Sequence, residues 1–161
     1  MGKRAKCLEP VTNAFYANEF QRVRRIVKMA PDVKRLLRIF RDADCEIHLA
    51  TNPLFPTVAV ESRLGWIGLS TADFDSITTY ENARYCKPNP LYYADILQRI
   101  AKSPEQCLMI GNNPSEDMEP LPVGMRRFLL TDHLENETDL DISRYPHGSF
   151  DQLLAFAESI I

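Results

Sequence analysis

Residues 107–117 read Cys107-Leu-Met-Ile-Gly-Asn-Asn-Pro-Ser-Glu-Asp117. A short apolar run stops at Gly111, two amides follow, and a carboxylate comes four residues after the second amide. An apolar run of that length ending in glycine reads as a buried strand, and parallel sheets carry their ligands at the carboxyl ends of their strands. Gly111 allows close backbone approach. Asn112, Asn113 and Asp117 offer oxygen donors of the kind a hard cation such as Mg²⁺ takes. The competing reading is a helix start, with Asn113 or Ser115 as the cap and Glu116 and Asp117 favouring the helix dipole. That reading explains the acids but not the apolar strand running into Gly111.

Two further segments end or precede regular elements in a similar way. Leu49-Ala-Thr51-Asn52-Pro53 follows a strand signal at 46–50, and a hydroxyl with free backbone N–H groups at a strand end can hold a phosphate oxygen. An N-cap for the next helix explains Thr51 and Asn52 equally well. Lys87-Pro-Asn-Pro90 places a compact positive charge in a loop that two prolines stiffen. The ordinary reading of a lone lysine is a solvated side chain.

The rest of the chain supplies the frame. Residues 12–28 carry an irregular helical pattern that includes Phe15, Tyr16, Phe20, Val23 and Ile26. Pro31 opens an amphipathic helix in which Val33, Leu36, Leu37 and Phe40 face inward, while Lys34, Arg35, Arg38 and Arg41 face out. Asp42-Ala-Asp44 closes it. A helix from Pro56 to about Leu64 ends near Gly65, and a strand follows at 74–79. Asn89 caps a helix with Pro90 in its first turn and Tyr93, Ile96, Leu97 and Ile100 on its core side. Ser103-Pro-Glu-Gln106 is a capping-box turn into the 107–110 strand. A helical piece near Ser115 is cut short by Pro120 and Pro122. The segment 127–130 is a strand, 132–145 a polar loop, and Ser149 caps a last helix with Phe150, Leu153, Leu154 and Ala157 inward. Strands alternating with helices predict an α/β fold, a Rossmann-like doubly wound parallel sheet.

Composition narrows the class. The chain has 161 residues, 45% apolar and 25% charged, which suits one globular domain. Four cysteines without a CxxC spacing, and three histidines away from them, argue against zinc. Cys45 and Cys107 read as small buried apolar residues, which suits a reducing cytosol and a cytoplasmic protein. No run approaches membrane-spanning length. Residues 1–41 hold 11 Lys/Arg against 3 Asp/Glu, yet this basic stretch reads as a solvated helix face rather than a nucleic-acid arm.

In their order along the chain, these residues resemble the haloacid dehalogenase-like (HAD) hydrolase superfamily, most of whose members are Mg²⁺-dependent phosphatases. The pattern is a strand ending in Thr or Ser, then Lys-Pro before a helix, then a strand ending in Gly with acids downstream. It covers residues 31–161 as a HAD-like core, with 1–30 similar to the remnant of a helical cap. The resemblance implies that Thr51 binds the transferring phosphate with help from Asn52. It gives Lys87 the task of neutralising phosphate charge, and assigns Mg²⁺ to Asp117 with Asn112 or Asn113.

The sequence departs from the family in three ways. The apolar strand ending in Asp-x-Asp, which supplies the family's nucleophile, is missing; Asp42-Ala-Asp44 and Asp73-Phe-Asp75 have the spacing but precede their strands. An amide stands at both positions where the direct metal-binding acid is expected, which weakens Mg²⁺ binding. Pro120 and Pro122 replace the usual small-residue helix. The expectation is therefore a HAD-like sheet without its first, central strand, with self-association through the strands left unpaired. The implied function is a phosphatase-type hydrolase acting on a small phosphorylated metabolite, truncated and inactive as it stands. The alternative is a non-catalytic protein of that fold that binds a phosphorylated ligand or a partner protein. No nucleic-acid or membrane partner is expected.

Overall fold

A computed structural model describes residues 3–28 and 32–161. The chain forms two compact units, residues 1–83 and 84–161. The segment read as a cap remnant lies in the first unit together with the start of the α/β core.

The first unit opens with helix α1, Lys3–Ala17, which contains Pro10, and a 3₁₀ segment, Glu19–Ile26. The sequence suggests one irregular helix here. The helix instead stops at Asn18, whose side-chain amide donates back to the Ala14 carbonyl at 2.8 Å and so offers the backbone an alternative to another helical turn. Both segments pack on helix α3, Thr57–Trp66. Phe20 stacks near Trp66 with ring centroids 5.1 Å apart, and Gln21 donates to the Ser62 hydroxyl at 2.7 Å.

Helix α2, Val33–Asp42, half-buries the stripe its spacing predicts, with Val33 and Leu37 against the core and Lys34, Arg35, Arg38 and Arg41 exposed. The predicted opening residue, Pro31, lies outside the described residues. Strands β1, His48–Leu49, and β2, Ser76–Ile77, pair in parallel. They are shorter than the five- and six-residue strands expected, and Cys45, expected to be buried beside the first of them, is exposed. Val60, Leu64 and Leu69 form the buried centre of the unit, with Leu49, Phe55, Phe74 and Ile77 around them.

Helix α3 ends at Trp66, next to Gly65 as the sequence predicts, and the chain is turned away just beyond it at Gly68. Gly68 has φ +72°, and the N–H of Leu69 bonds to the Leu64 carbonyl at 3.0 Å. This is a left-handed helix stop that favours glycine; Gly65 lies inside the helix.

In the second unit, helix α4, Pro90–Ile100, is capped by the Asn89 side chain on the Leu91 N–H. Strands β3, Leu108–Gly111, β4, Arg126–Leu130, and β5, His147–Gly148, form a parallel sheet in the order β3-β4-β5. Helix α5, Phe150–Ile160, starts at the predicted Ser149 cap, which the structure completes as a capping box with Gln152, and buries Leu153, Leu154 and Ala157. Met118, Leu129 and Tyr145 are the buried centre here. Strand β5 went unread because two residues cannot display a period of two.

The architecture is α/β with parallel strands, as the sequence indicates. Among the described residues, however, the strands form two ladders rather than one sheet: β1 pairs with β2 alone, and β3 with β4 alone. The residues of β3 are only half-buried, whereas Phe128 and Leu129 of β4 are buried. Cys107 is likewise half-buried.

Candidate functional site

The end of β3 is organised around one carboxylate. Past Gly111 the chain turns through Asn112 and Asn113 into a π-helical turn, Pro114–Met118, closed by the Glu119 N–H on the Pro114 carbonyl at 3.0 Å. Such turns are rare and set side chains off the usual helical face. Asp117 thereby points back at the strand end, where its Oδ2 accepts from the backbone N–H groups of Asn112 and Asn113, both at 3.1 Å. Gly111 is required by this return: a Cβ there would collide with the Asp117 carboxylate.

The other carboxylate oxygen, Oδ1, accepts from Lys87 Nζ at 2.6 Å. The side chains of Lys87 and Asp117 are 7% and 6% exposed, so this is a buried ion pair. Lys87 reaches it from a loop whose Lys87–Pro88 peptide is cis and which is continuous with the capped start of α4. Its ammonium lies 5.8 Å from the ring centre of Tyr92 and 6.0 Å from that of Tyr93, within cation–π range. Buried charges persist in proteins when they are paired and hydrogen-bonded, and here both conditions hold.

Tyr93 does more than fill the core side of α4. Its hydroxyl donates to the Glu116 carbonyl at 2.6 Å and ties α4 to the turn that carries Asp117. Burial, and then the negative charge of Asp117, push the phenol well above its ordinary range. The apolar stripe identifies Tyr93 as core and carries no signal for this bond; only its hydroxyl, a polar atom on a buried face, hinted that a partner was needed. Arg127 is a second residue that the sequence did not single out: it donates to the Met118 carbonyl at 2.8 Å and stacks on Tyr145.

The two amides serve the turn. Asn113 Oδ1 accepts from the Glu116 N–H at 3.1 Å, as a helix cap does. The Asn112 side chain donates to the His133 carbonyl at 2.6 Å, while its backbone carbonyl accepts from Glu135 at 2.9 Å. Both oxygens of Asp117 and the side-chain oxygen of Asn113 are thus already engaged. Among the described residues no three His, Cys, Asp or Glu side chains gather as a metal site. The residues named for Mg²⁺ do not fit it, because that ion needs near-octahedral oxygen ligands free to face it.

In the first unit, Thr51 and Asn52 follow the carboxyl end of β1. They do not cap α3, which starts at Thr57 behind Pro56. The amide and hydroxyl of Thr57 are instead taken by the Glu81 carboxylate, at 3.0 and 2.9 Å. The Thr51 hydroxyl donates to the Thr78 carbonyl at 2.6 Å, and the Thr78 hydroxyl returns a bond to the Thr51 carbonyl at 3.0 Å. The acids with Asp-x-Asp spacing are at the other end of these strands. Asp75, just before β2, accepts from the Ile47 N–H and from Arg41, both at 2.6 Å. Asp42 and Asp44 lie before β1 and Asp73 before β2, all at the amino ends.

A parallel α/β frame, a lysine loop and a returning aspartate at a strand's carboxyl end describe the site, and comparison with known proteins places the chain in a family. A family model for haloacid dehalogenase-like hydrolases matches residues 2–122. This chain belongs to that family. Among proteins of curated function, none matches its sequence.

Solved structures agree on the fold. A protein described as a beta-phosphoglucomutase from Thermotoga maritima superposes with a TM-score of 0.71 at 18% identity, over 96% of this chain and 71% of that one. A hydrolase from Pseudomonas syringae gives 0.67 at 17% identity, over 99% of this chain and 74% of that one. A predicted phosphoglycolate phosphatase from Haemophilus somnus 129pt gives 0.63 at 20% identity, over 78% of this chain. The chain spans only 56% of the length of that phosphatase. No described helix is long and apolar enough to cross a membrane.

Proposed function

We propose that this chain carries the phosphate-binding part of a HAD-like phosphatase, and that on its own it holds a small phosphorylated metabolite without hydrolysing it. The observation that carries this reading is the Lys87 ammonium, held in place by buried Asp117 and two tyrosine rings. An ammonium has three donors, and one of Lys87's goes to Asp117. A phosphate oxygen meeting a charge already fixed in place does not have to order a flexible side chain on binding. The names of the similar structures, a phosphoglycolate phosphatase and a beta-phosphoglucomutase, favour a small phosphorylated metabolite as the ligand class. Within the first unit, Thr51 and Asn52 are the proposed phosphate contacts.

Turnover needs a nucleophile as well. The described residues place Thr51 and Asn52 after β1, and Asn112, Asn113 and Asp117 after β3; both oxygens of that single aspartate are engaged. Phosphate-monoester hydrolysis is among the slowest uncatalysed reactions, so positioning alone leaves a very high barrier.

The test has two parts. Inorganic phosphate titrated calorimetrically should bind the wild-type chain, and Lys87→Gln should weaken it by about tenfold or more, the loss of one charge-assisted hydrogen bond. A panel of phosphate monoesters should show no turnover. Robust hydrolysis abolished by Lys87→Gln would overturn the claim of binding without catalysis, and the absence of phosphate binding would overturn the site.

A further inference from the structure

We infer that the Lys87 ammonium takes the place of a divalent cation against Asp117, so that the phosphate site at the end of β3 works without a metal. The inference rests on the proposed phosphate binding for its ligand, but its core claim concerns the ion pair alone.

Both carboxylate oxygens of Asp117 and the side-chain oxygen of Asn113 have partners. Asp117 Oδ1 is 2.6 Å from Lys87 Nζ, which is direct charge-assisted contact with no room for an intervening ion. Oδ2 is shared by two backbone N–H groups that cannot turn away without unwinding the strand end. Asn113 would have to release the Glu116 N–H, and Asn112 is drawn toward His133. A cation entering here would meet the ammonium as a like charge in a poorly solvated place, where repulsion is weakly screened. It would also displace the only counter-charge that Lys87 has among the ion pairs described. Lys87 already supplies what a metal would bring to a phosphate, a fixed positive charge at the strand end. The tyrosine rings favour a cation of this shape, a compact ammonium on an apolar stem. The two amides at 112 and 113 then follow: with the positive charge built in, a second carboxylate at the turn would find no cation to balance it.

The probe is Mn²⁺, followed by loss of its free electron paramagnetic resonance signal, with Mg²⁺ as competitor and in thermal melts. The wild-type chain should leave the free Mn²⁺ signal unchanged. Its Tm in excess Mg²⁺ should stay within about 1 °C, whereas a ligand at about 100 times its Kd shifts a domain of this size by several degrees. Inorganic phosphate should bind equally, to within about twofold, in EDTA and in Mg²⁺. Lys87→Met, which removes the ammonium and frees Asp117, should gain Mn²⁺ binding.

Saturable Mn²⁺ binding by the wild-type chain, lost in Asp117→Asn, would overturn the inference. So would a folded Lys87→Met that still binds no Mn²⁺, since the ammonium would then not be what excludes the ion. If Lys87→Met does not fold, the wild-type Mn²⁺ titration still decides. Absence of phosphate binding in both EDTA and Mg²⁺ would instead remove the phosphate reading and leave the metal result standing.

Discussion

The loop after β1 and the loop after β3 both leave a parallel strand at its carboxyl end, but they are held by different bonds. After β1, neutral groups exchange hydrogen bonds: Thr51 with the Thr78 carbonyl, and Thr78 with the Thr51 carbonyl. After β3, a buried carboxylate collects an ammonium and two backbone N–H groups. Neutral hydrogen bonds largely replace bonds to water and contribute little net stability. A buried charge is costly without its partners, so each member of the second arrangement depends on the others. The two loops should therefore respond very differently to loss of one side chain.

The largest effect is expected at Asp117. Asp117→Ala leaves the Lys87 ammonium buried and unpaired and should destabilise the second unit by about 3–5 kcal/mol in chemical denaturation. Gly111→Ala should come next, at about 1–3 kcal/mol, because the new methyl group is forced against the Asp117 carboxylate. The two changes should be strongly non-additive in a double-mutant cycle, since the second has nothing to collide with once the carboxylate is gone. Additivity would break the claim that Gly111 is there for Asp117.

On the β1 side, Thr51→Val should cost only about 1–2 kcal/mol, the loss of one neutral bond and a carbonyl left short of a donor. An equal loss at Thr51 and Asp117 would remove the distinction between the loops.

Two pH responses sharpen it further. Burial and the charge of Asp117 raise the Tyr93 phenol. The folded state therefore keeps its proton above about pH 10, where the unfolded chain loses it. Stability is fully present below that pH and should fall by about 1.4 kcal/mol per pH unit above it. Tyr93→Phe should remove this alkaline slope, measured by denaturation from about pH 9 to about pH 11. Asp75 behaves in the opposite sense. The Ile47 N–H lowers its carboxyl, and Arg41 adds to this against the opposing effect of burial. Its contribution is present above the unfolded value near 3.8 and is lost as pH falls through the lower folded value. Because Asp75 is 36% exposed, solvent screening should keep this contribution below about 1 kcal/mol. Acid melts of Asp75→Asn against wild type will measure it.

Much of this was legible in the sequence. The caps at Asn89, Ser103 and Ser149, the α2 stripe and the strand running into Gly111 all follow from local chemistry, and local chemistry survives folding. The residues that build the β3 end were also legible as types: Lys87, Asp117 and Gly111 stood out by position. What they would bond to was not. That Asp117 reaches back to Asn112 depends on a π-helical turn, which five residues of sequence do not distinguish from an ordinary one. That Asn113 caps this turn was one of two readings the sequence left open, and only the Glu116 bond separates them. Strand lengths were overestimated because apolar alternation continues past the last ladder bond: Phe74 belongs to the core of the first unit although β2 begins at Ser76.

The burial of Lys87 also changes how this lysine meets reagents. Acylating agents attack free amines that water can reach. Lys34, on the outer face of α2, is exposed and should label at the rate of the intact protein. Lys87, at 7% exposure and held as an ammonium by Asp117, should label far more slowly, because it must leave that bond before it can act as a free amine. The lag between the two, followed by mass spectrometry, makes position 87 a built-in timer for the opening of the β3 end.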